Sequence, residues 1–285
     1  SAASDVYKRQ LLNRAINGTY PPGSIFKMVV AIELLERNLI DDNWQVLCNG
    51  EYEFFESTHR CTGSHGYVNL NDAMTVSCNI FFYEAVQKIR LDNLAKRSKD
   101  LFYGLPTGID LPNEMKGRVP DRAYMNKLYG TDGWSTGALL NISIGQGEVL
   151  VTPIQMIAYV NTIATSGNYN PIYIVKNEGR SAISTSISQL TWKKINDYMK
   201  NVIVDQNGTG RLSDPKISNL SIYGKTGTAE NPHGEPHAWF IGYSDNLKRK
   251  NSVVVLIENG GSGGKIASPL ARDIFRFLNN NKHKS

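Results

Sequence analysis

The most restrictive feature of this sequence is a nearly continuous apolar segment that follows a turn. The turn is Tyr20-Pro21-Pro22-Gly23, and the apolar segment runs from Met28 to Leu35. A helix that is apolar on all sides has to be buried. The sequence therefore predicts a loop that delivers the chain into a buried helix ending near Asn38, with Ser24 near its N-cap.

Ser24 and Lys27 are separated by about one turn of this predicted helix. Side chains at positions i and i+3 share a face, so the Ser24 hydroxyl and the Lys27 amine can lie within hydrogen-bond reach. Burial lowers the pKa of a lysine, which makes Lys27 a candidate general base for a nucleophilic Ser24. The helix N-terminus adds a positive field for a developing oxyanion. The same spacing recurs in two segments that proline or glycine places in loops, Ser213/Lys216 and Ser262/Lys265.

Two further motifs occur in order along the chain. Ser77-Cys78-Asn79 lies in a predicted helical segment from Leu70 to Ile89, where it offers a hydroxyl for proton relay and an amide to hold a substrate. Ser244-Asp245-Asn246 has the same pattern but falls at a predicted turn after the third motif, so it is the weaker candidate.

The third motif, Lys225-Thr226-Gly227-Thr228, lies in a predicted strand. Lys225 and the hydroxyls of Thr226 and Thr228 can bind a carboxylate through charge-assisted hydrogen bonds. Gly227 would weaken a strand unless a ligand or another backbone has to approach closely. The ordered set predicts an enzyme that attacks an amide carbonyl close to a free carboxylate.

The remaining pattern predicts a mixed fold in which helices precede and follow a group of antiparallel strands. Residues 1–10 show no continuity with the rest of the chain, so we expect an artefact or an unstructured tail there and one domain over 11–285. The predicted helices are Leu91–Phe102, Thr152–Thr165, Ser188–Val204 and Leu270–Leu278, and the predicted strands are Ile217–Thr228, Ala238–Tyr243 and Ser252–Ile257.

Composition excludes several other classes of protein. With 41% apolar residues, 20% charged residues and a formal net charge of +5, the chain is ordinary for a globular protein. Its basic residues are scattered, so we expect no nucleic-acid partner. The longest apolar runs, such as Val253 to Ile257, fall far short of the roughly 20 residues that a membrane span needs.

Taken together, the motifs resemble the transpeptidase domain of class B penicillin-binding proteins, above all the elongation-specific ones. The resemblance extends from Leu11 to the end and includes Ser143-Ile144-Gly145-Gln146-Gly147, Thr152-Pro153-Ile154-Gln155 and Trp239-Phe240-Ile241-Gly242-Tyr243. It implies an α/β (α+β) fold of the penicillin-binding protein and serine β-lactamase type, with an antiparallel sheet flanked by helices and a helical subdomain. Complete domains of this family have strands before the residues that match Leu11. We therefore expect a sheet without its N-terminal strands and a poorly stable chain.

The resemblance also implies a role for each motif residue. Ser24 would attack the penultimate D-Ala of a D-Ala-D-Ala terminus, and Lys27 would take its proton. Ser77 would relay a proton to the leaving amine, and Asn79 would hold the substrate amide. Lys225, Thr226, Gly227 and Thr228 would bind the terminal carboxylate, and the N–H groups of Ser24 and Thr228 would form the oxyanion hole.

The resemblance further implies a biological setting. An amine from a neighbouring stem peptide would take the acyl group, which makes a peptidoglycan cross-link in cell-wall synthesis and cell-shape maintenance. β-Lactam antibiotics would acylate Ser24, and the chemistry would need no cofactor. The expected partner is a membrane glycosyltransferase, contacted through N-terminal regions, and the expected location is the periplasmic face of the inner membrane.

Three cysteines and a histidine allow two readings. Some elongation-specific relatives bind zinc through a His, a Cys and two carboxylates; His65 and Cys78 match the first two, and Cys48 and Cys61 stand where the carboxylates would be. Three thiolates and an imidazole suit tetrahedral zinc. The rival is a Cys48–Cys61 disulfide in an oxidising compartment, with Cys78 free.

Other fates of the acyl-enzyme remain open from the sequence. A serine β-lactamase would hydrolyse it, but class A enzymes use a glutamate in a Glu-x-x-Leu-Asn stretch that is absent here. A D,D-carboxypeptidase differs only in using water as acceptor. A penicillin-sensing receptor domain would be acylated once and would signal.

Overall fold

The computed structural model describes residues 12–131, 133–175 and 181–280. The predicted tail over 1–10 lies outside these ranges. The helices of the described part are α1 Arg14–Asn17, α2 Lys27–Glu36, α3 Leu70–Thr75, α4 Asn79–Val86, α5 Leu91–Asp100, α6 Arg122–Tyr129, α7 Thr136–Ser143, α8 Pro153–Ala164, α9 Gln189–Val204 and α10 Ser268–Asn280. None of these helices combines the length and the apolar character that crossing a bilayer requires.

The strands of the described part form one larger sheet and several two-stranded pairs. They are β1 Val46–Cys48, β2 Glu51–Phe54, β3 Ser57–Arg60, β4 Gly66–Val68, β5 Asn168–Tyr169, β6 Ile183–Ser184, β7 Ser221–Ala229, β8 His237–Asp245 and β9 Lys250–Ile257. Strands β7, β8 and β9 make the predicted antiparallel meander, and β1 pairs with β4, β2 with β3 and β5 with β6.

The meander separates two apolar cores because side chains alternate across a strand. From β8, Ala238 and Phe240 enter a small core that α10 covers with Phe275. Trp239 and Ile241 enter the large core on the other face, which also contains α2. A sheet enclosed on both faces is a rigid support for residues at the exposed edge of β7.

The apolar segment after the first turn forms the buried helix that the sequence predicts. Its residues from Met28 to Leu34 are at most 1% exposed. The one charged residue among them, Glu33, forms an ion pair with Arg97 at 3.0 Å. The helix begins at Lys27 rather than at Ser24, however. Ser24 lies in a 3-10 turn, Gly23–Ile25, whose Gly23 carbonyl accepts the Phe26 N–H at 3.0 Å, so the turn leads directly into the helix.

The predicted single helix from Leu70 to Ile89 is wrong, since the structure divides it into α3 and α4. The chain turns at Ser77, which has a positive φ of 59°. The N–H of Cys78 then donates to the Ala73 carbonyl at 2.9 Å, which closes the first helix. The break moves Ser77 out of the helical ladder and leaves Asn79 as the first residue of the next helix.

The other predicted helices match the structure to within two residues at each end. The Thr152-Pro153 start of α8 is a capping box, in which the Thr152 side chain accepts from the Gln155 N–H and the Gln155 side chain accepts from the Thr152 N–H. The Gln155 amide nitrogen also donates to the carbonyls of Phe102, Leu105 and Lys116. One buried side chain therefore fixes the loops that precede the helix.

Candidate active site

The turn that carries Ser24 is hydrogen bonded to the loop that contains Gly145. The Gly23 N–H donates to the Gly145 carbonyl at 3.0 Å. Gly145 has a φ of +71°, and a Cβ at this position would lie 2.2 Å from the Gly23 carbonyl oxygen. Gly145 therefore has both the conformation and the space that only glycine satisfies.

The same turn packs directly against the backbone of β7. A Cβ on Gly227 would lie 2.8 Å from the Pro22 carbonyl oxygen, and one on Gly23 would lie 2.6 Å from the Thr228 carbonyl oxygen. The predicted close approach at Gly227 is therefore present, and the approaching group is the chain's own backbone. This contact brings Ser24 next to the strand that carries the third motif.

Two buried lysines converge on Ser77. Lys27 Nζ donates to the Ser77 carbonyl at 2.7 Å, to Ser77 Oγ at 3.3 Å and to Asn79 Oδ1 at 2.6 Å. Lys225 Nζ donates to Ser77 Oγ at 2.9 Å and to the Thr226 carbonyl at 3.2 Å. These contacts join residues from all three motifs. Ser24, although in the same site, has no hydrogen bond to Lys27 within the described residues.

Burial gives both lysines unusual electrostatics, since neither exposes any surface. Desolvation lowers the pKa of Lys27 to about 8, against a smaller opposing effect of the Cys61 and Cys78 thiols. Desolvation, followed by repulsion from Lys27, holds the pKa of Lys225 well below its usual value. A lysine that readily gives up its proton near neutral pH can act as a general base.

A cleft of about 930 Å³ opens in front of this network. Its lining includes five of the predicted site residues: Ser24, Ser77, Asn79, Thr226 and Thr228. Neither lysine is among its lining residues. The prediction that the Lys225 side chain faces the substrate is therefore wrong. Its Nζ points away from the cleft and donates to Ser77 Oγ.

The cleft also has polar walls that the motifs do not include. Thr226 Oγ1 and Thr209 Oγ1 are hydrogen bonded at 2.7 Å. Lys216 and Lys265, which belong to the two weaker Ser-x-x-Lys matches, line the same cleft. Ser213 ends a short 3-10 turn, Arg211–Ser213, and Lys216 follows it in the predicted loop. The loop predicted at Ser262/Lys265 is wrong, because Lys265 lies in a π-helical turn, Gly263–Ala267, that runs directly into α10.

The four candidate metal ligands form one cluster. Their ligand atoms all lie within 4.8 Å of one another. The distances are 3.3 Å from Cys48 Sγ to His65 Nδ1, 3.6 Å from Cys61 Sγ to the same nitrogen and 3.8 Å from Cys61 Sγ to Cys78 Sγ. Sulfurs bound to a tetrahedral zinc at about 2.3 Å would be about 3.8 Å apart. The donor set therefore fits zinc.

In the structure all three cysteines are free thiols, and no disulfide joins Cys48 to Cys61. The hydrogen bond between Cys61 and Cys78 lowers the pKa of the Cys61 thiol and raises that of Cys78. Thiolates are the form in which cysteines bind metals. The Asn79 N–H donates to Cys61 Sγ at 3.1 Å, so the cluster directly supports the second motif.

The fold and the site together define a known class. The chain belongs to the family of penicillin-binding protein transpeptidase domains, whose profile matches residues 1–276. Among curated proteins, the peptidoglycan D,D-transpeptidase MrdA of Haemophilus influenzae is 30% identical over 96% of this chain and 46% of its own length. PbpA of Mycobacterium tuberculosis, also a peptidoglycan D,D-transpeptidase, is 29% identical over 93% of this chain and 56% of its own length. The chain thus spans about half the length of these relatives.

Solved structures show the same fold. Penicillin-binding protein PBP2 of Helicobacter pylori, in complex with MreC, superimposes with a TM-score of 0.88 at 30% identity, over 98% of this chain and 53% of that one. PBP2 of Pseudomonas aeruginosa, in complex with WCK 5153, superimposes with a TM-score of 0.85 at 26% identity, over 99% of this chain and 67% of that one. These similarities confirm the predicted family and fold class.

The Gly145 contact yields a test of how the nucleophile is positioned. Gly145→Ala should slow the acylation of the protein by a labelled penicillin by at least about tenfold, because the added Cβ displaces the turn that carries Ser24. Gly147→Ala is the matched control, since Gly147 also has a positive φ but its nearest neighbour is 3.8 Å from the added Cβ. Equal acylation rates in the two variants would show that the Gly145 contact does not position Ser24.

Proposed function

We propose that this chain is the catalytic domain of a peptidoglycan D,D-transpeptidase that cross-links stem peptides through an acyl-enzyme on Ser24. The observation that carries the proposal is the set of hydrogen bonds by which Lys27 and Lys225 both reach Ser77, directly behind the cleft that Ser24 lines. Family membership supports the reaction class. The buried lysines supply the acid and base groups that such a reaction needs.

Acylation begins when neutral Lys27 takes the proton of the Ser24 hydroxyl. Ser24 Oγ attacks the carbonyl carbon of the penultimate D-Ala, and the N–H groups of Ser24 and Thr228 receive the oxyanion. The tetrahedral intermediate collapses with cleavage of the C–N bond. Ser77, which contacts both lysines, passes a proton to the departing amine, and D-Ala leaves.

Substrate binding follows from the polar groups along the cleft. The hydroxyls of Thr226 and Thr228 bind the terminal carboxylate, whose negative charge favours the protonated form of Lys225 behind them. Lys27 holds Asn79 Oδ1 at 2.6 Å, which fixes the orientation of the amide. Asn79 Nδ2, which donates to the Arg60 carbonyl at 3.1 Å, is then the group that holds the substrate amide.

Deacylation by an amine of a second stem peptide completes the cross-link. The amine attacks the ester carbonyl, a C–N bond forms, the bond to Ser24 Oγ breaks, and the serine recovers a proton. A β-lactam acylates the same serine but leaves a slowly released adduct. Hydrolysis of either acyl-enzyme would make the protein a carboxypeptidase or a β-lactamase, and a signalling role would make it a sensor.

The whole protein would work at the periplasmic face of the inner membrane, in cell-wall synthesis and the maintenance of cell shape. Its partner would be a membrane glycosyltransferase of the elongation machinery. Support for such an assembly comes from a solved peptidoglycan synthase complex, to which this chain is 29% identical with a TM-score of 0.85. The PBP2–MreC complex of Helicobacter pylori adds a further example from a similar protein.

The chemistry needs no cofactor, and we assign zinc a structural role. Cys48, Cys61, His65 and Cys78 would hold the ion. Its bound thiolates would keep the Asn79 N–H in place through Cys61, and would fix the turn at Ser77 through Cys78. When bound, zinc supplies a rigid junction between the β1–β4 pair and α4, and it takes no part in acyl transfer.

The nucleophile can be tested by mass spectrometry after incubation with benzylpenicillin. The parent should gain one penicilloyl adduct, and Ser24→Ala should gain none, because its hydroxyl is the acylated group. Ser262→Ala is the matched control, since Ser262 lines the same cleft and also has a lysine three positions later. An adduct that persists supports a transpeptidase, whereas rapid release would identify a β-lactamase. An adduct on Ser24→Ala would overturn the assignment.

The zinc site can be tested by metal analysis and thermal unfolding. The protein should contain about one zinc per chain, show thiolate-to-cobalt charge-transfer absorption after cobalt replacement, and unfold at a lower temperature once chelated. His65→Ala should lose the metal, while His233→Ala, outside the cluster, should retain it. No zinc, with two thiols missing from a thiol titration, would instead establish a disulfide.

A further inference from the structure

The active-site cleft continues past Asn79 into a second cleft of about 820 Å³. Five residues line both clefts, which therefore meet along a shared border: Asn79, Ile144, Gln146, Glu230 and Pro236. A peptide bound at Ser24 in the first cleft can thus extend into the second.

The far end of the first cleft is cationic. Its lining cations are Arg211, Lys216, Lys265, Arg272 and Arg276. Lys216 is neutralised by Asp214 at 2.8 Å, and both arginines of α10 contact Asp273. Arg211 and Lys265 have no acidic partner within the described residues. Arg211 lies two residues after Thr209, whose hydroxyl is hydrogen bonded to that of Thr226. The cationic end of the cleft is therefore next to Thr226, and its positive charge attracts the terminal carboxylate of a substrate.

The direction of the bound peptide follows from that charge. With the carboxylate towards Thr226 and the scissile carbonyl at Ser24, the preceding residues have to leave along the other side. Thr226, Thr228 and Glu230 occupy alternate positions and all line the cleft. Glu230 therefore lies about 7 Å beyond Thr228 along the chain, a distance that one or two residues of an extended peptide cover.

Glu230 is an exposed carboxylate at this position, and it has no hydrogen bond or ion pair to any described residue. The nearby cation of the second cleft, Arg60, is already engaged by Glu51 at 3.6 Å. A carboxylate accepts hydrogen bonds and attracts positive charge. The group that matches it is an ammonium on the substrate.

We propose that Glu230 selects donor peptides that carry a free side-chain amine on the residue directly before D-Ala-D-Ala. This inference rests on the proposed function, because it requires a peptide acyl donor at Ser24. The recognised group is the ammonium of a diamino acid, and the second cleft receives the body of the same stem peptide. Since Glu230 is away from the reacting bond, its contribution should appear in KM rather than in kcat.

The test compares two peptides that differ only in acetylation of one side-chain amine, which removes its positive charge. One ends in Lys-D-Ala-D-Ala with a free side-chain amine, and the other has that amine acetylated. Release of D-Ala is measured for the parent, Glu230→Gln and Glu235→Gln. Glu235 is the matched control, because it is an exposed acid in the adjoining loop that lines neither cleft.

The parent should prefer the free amine by about two- to fivefold in kcat/KM, as an exposed ion pair allows. Glu230→Gln should lose this preference and Glu235→Gln should keep it. The ratio is taken within each variant, so a general loss of activity cancels. A preference that survives in Glu230→Gln, or none in the parent, overturns the inference. Failure of benzylpenicillin to acylate the parent would instead overturn the proposed function, and this inference with it.

Discussion

The site depends on one electrostatic constraint. Two lysines that are fully buried, Lys27 and Lys225, both donate hydrogen bonds to the hydroxyl of Ser77. Nζ of each lies within 3.3 Å of Ser77 Oγ, so the two amines are within about 6 Å of each other. Two positive charges at that distance repel by about 3 kcal/mol at an effective dielectric constant near 20. Desolvation is the larger cause of the lowered pKa of each lysine, and the pair therefore releases a proton easily. That release is what provides a base beside Ser24.

The rest of the fold keeps these groups in place. Helix α2 brings Lys27 into the core, and the enclosed sheet brings Lys225 to the same point. Ser77 has a left-handed backbone that costs about 1 kcal/mol or more for a residue with a Cβ. Contacts on both sides offset that cost, since Lys27 binds its carbonyl and Cys61 accepts from the following Asn79 N–H. The cysteine and histidine cluster thus supports the least favourable backbone conformation in the second motif.

The helices and strands that depend on local sequence patterns could be predicted from the sequence. The buried helix after Gly23 and the meander follow from apolar periodicity and turn residues, except that the first strand begins at Ser221 rather than at the predicted Ile217. The site roles themselves stay predictions. The break at Ser77 was missed because the surrounding residues, from Leu70 to Ile89, are compatible with one helix, and only tertiary contacts to Lys27 and Cys61 favour the interruption.

The direction in which a side chain points could not be predicted from the sequence pattern either. Lys225 was predicted to face the substrate, but its partner Ser77 is 148 residues away in sequence. Arg211 and Lys265 reach the cleft from a 3-10 turn and a π-helical turn, and nothing in the sequence placed either cation beside Ser24. Gly145 belongs to a segment that carries the family resemblance, but nothing in the sequence placed it against the turn that carries Ser24. The contact itself required the fold.

The most direct test of the buried lysine base is the pH dependence of Ser24 acylation by benzylpenicillin. Lys27 acts in its neutral form, and burial lowers its pKa from 10.5 to about 8. The acylation rate constant should therefore rise about tenfold per pH unit from about pH 6 and level off above about pH 8. A rate that is constant over this range, or that continues to rise beyond about pH 10, would contradict a base set by the buried lysine pair.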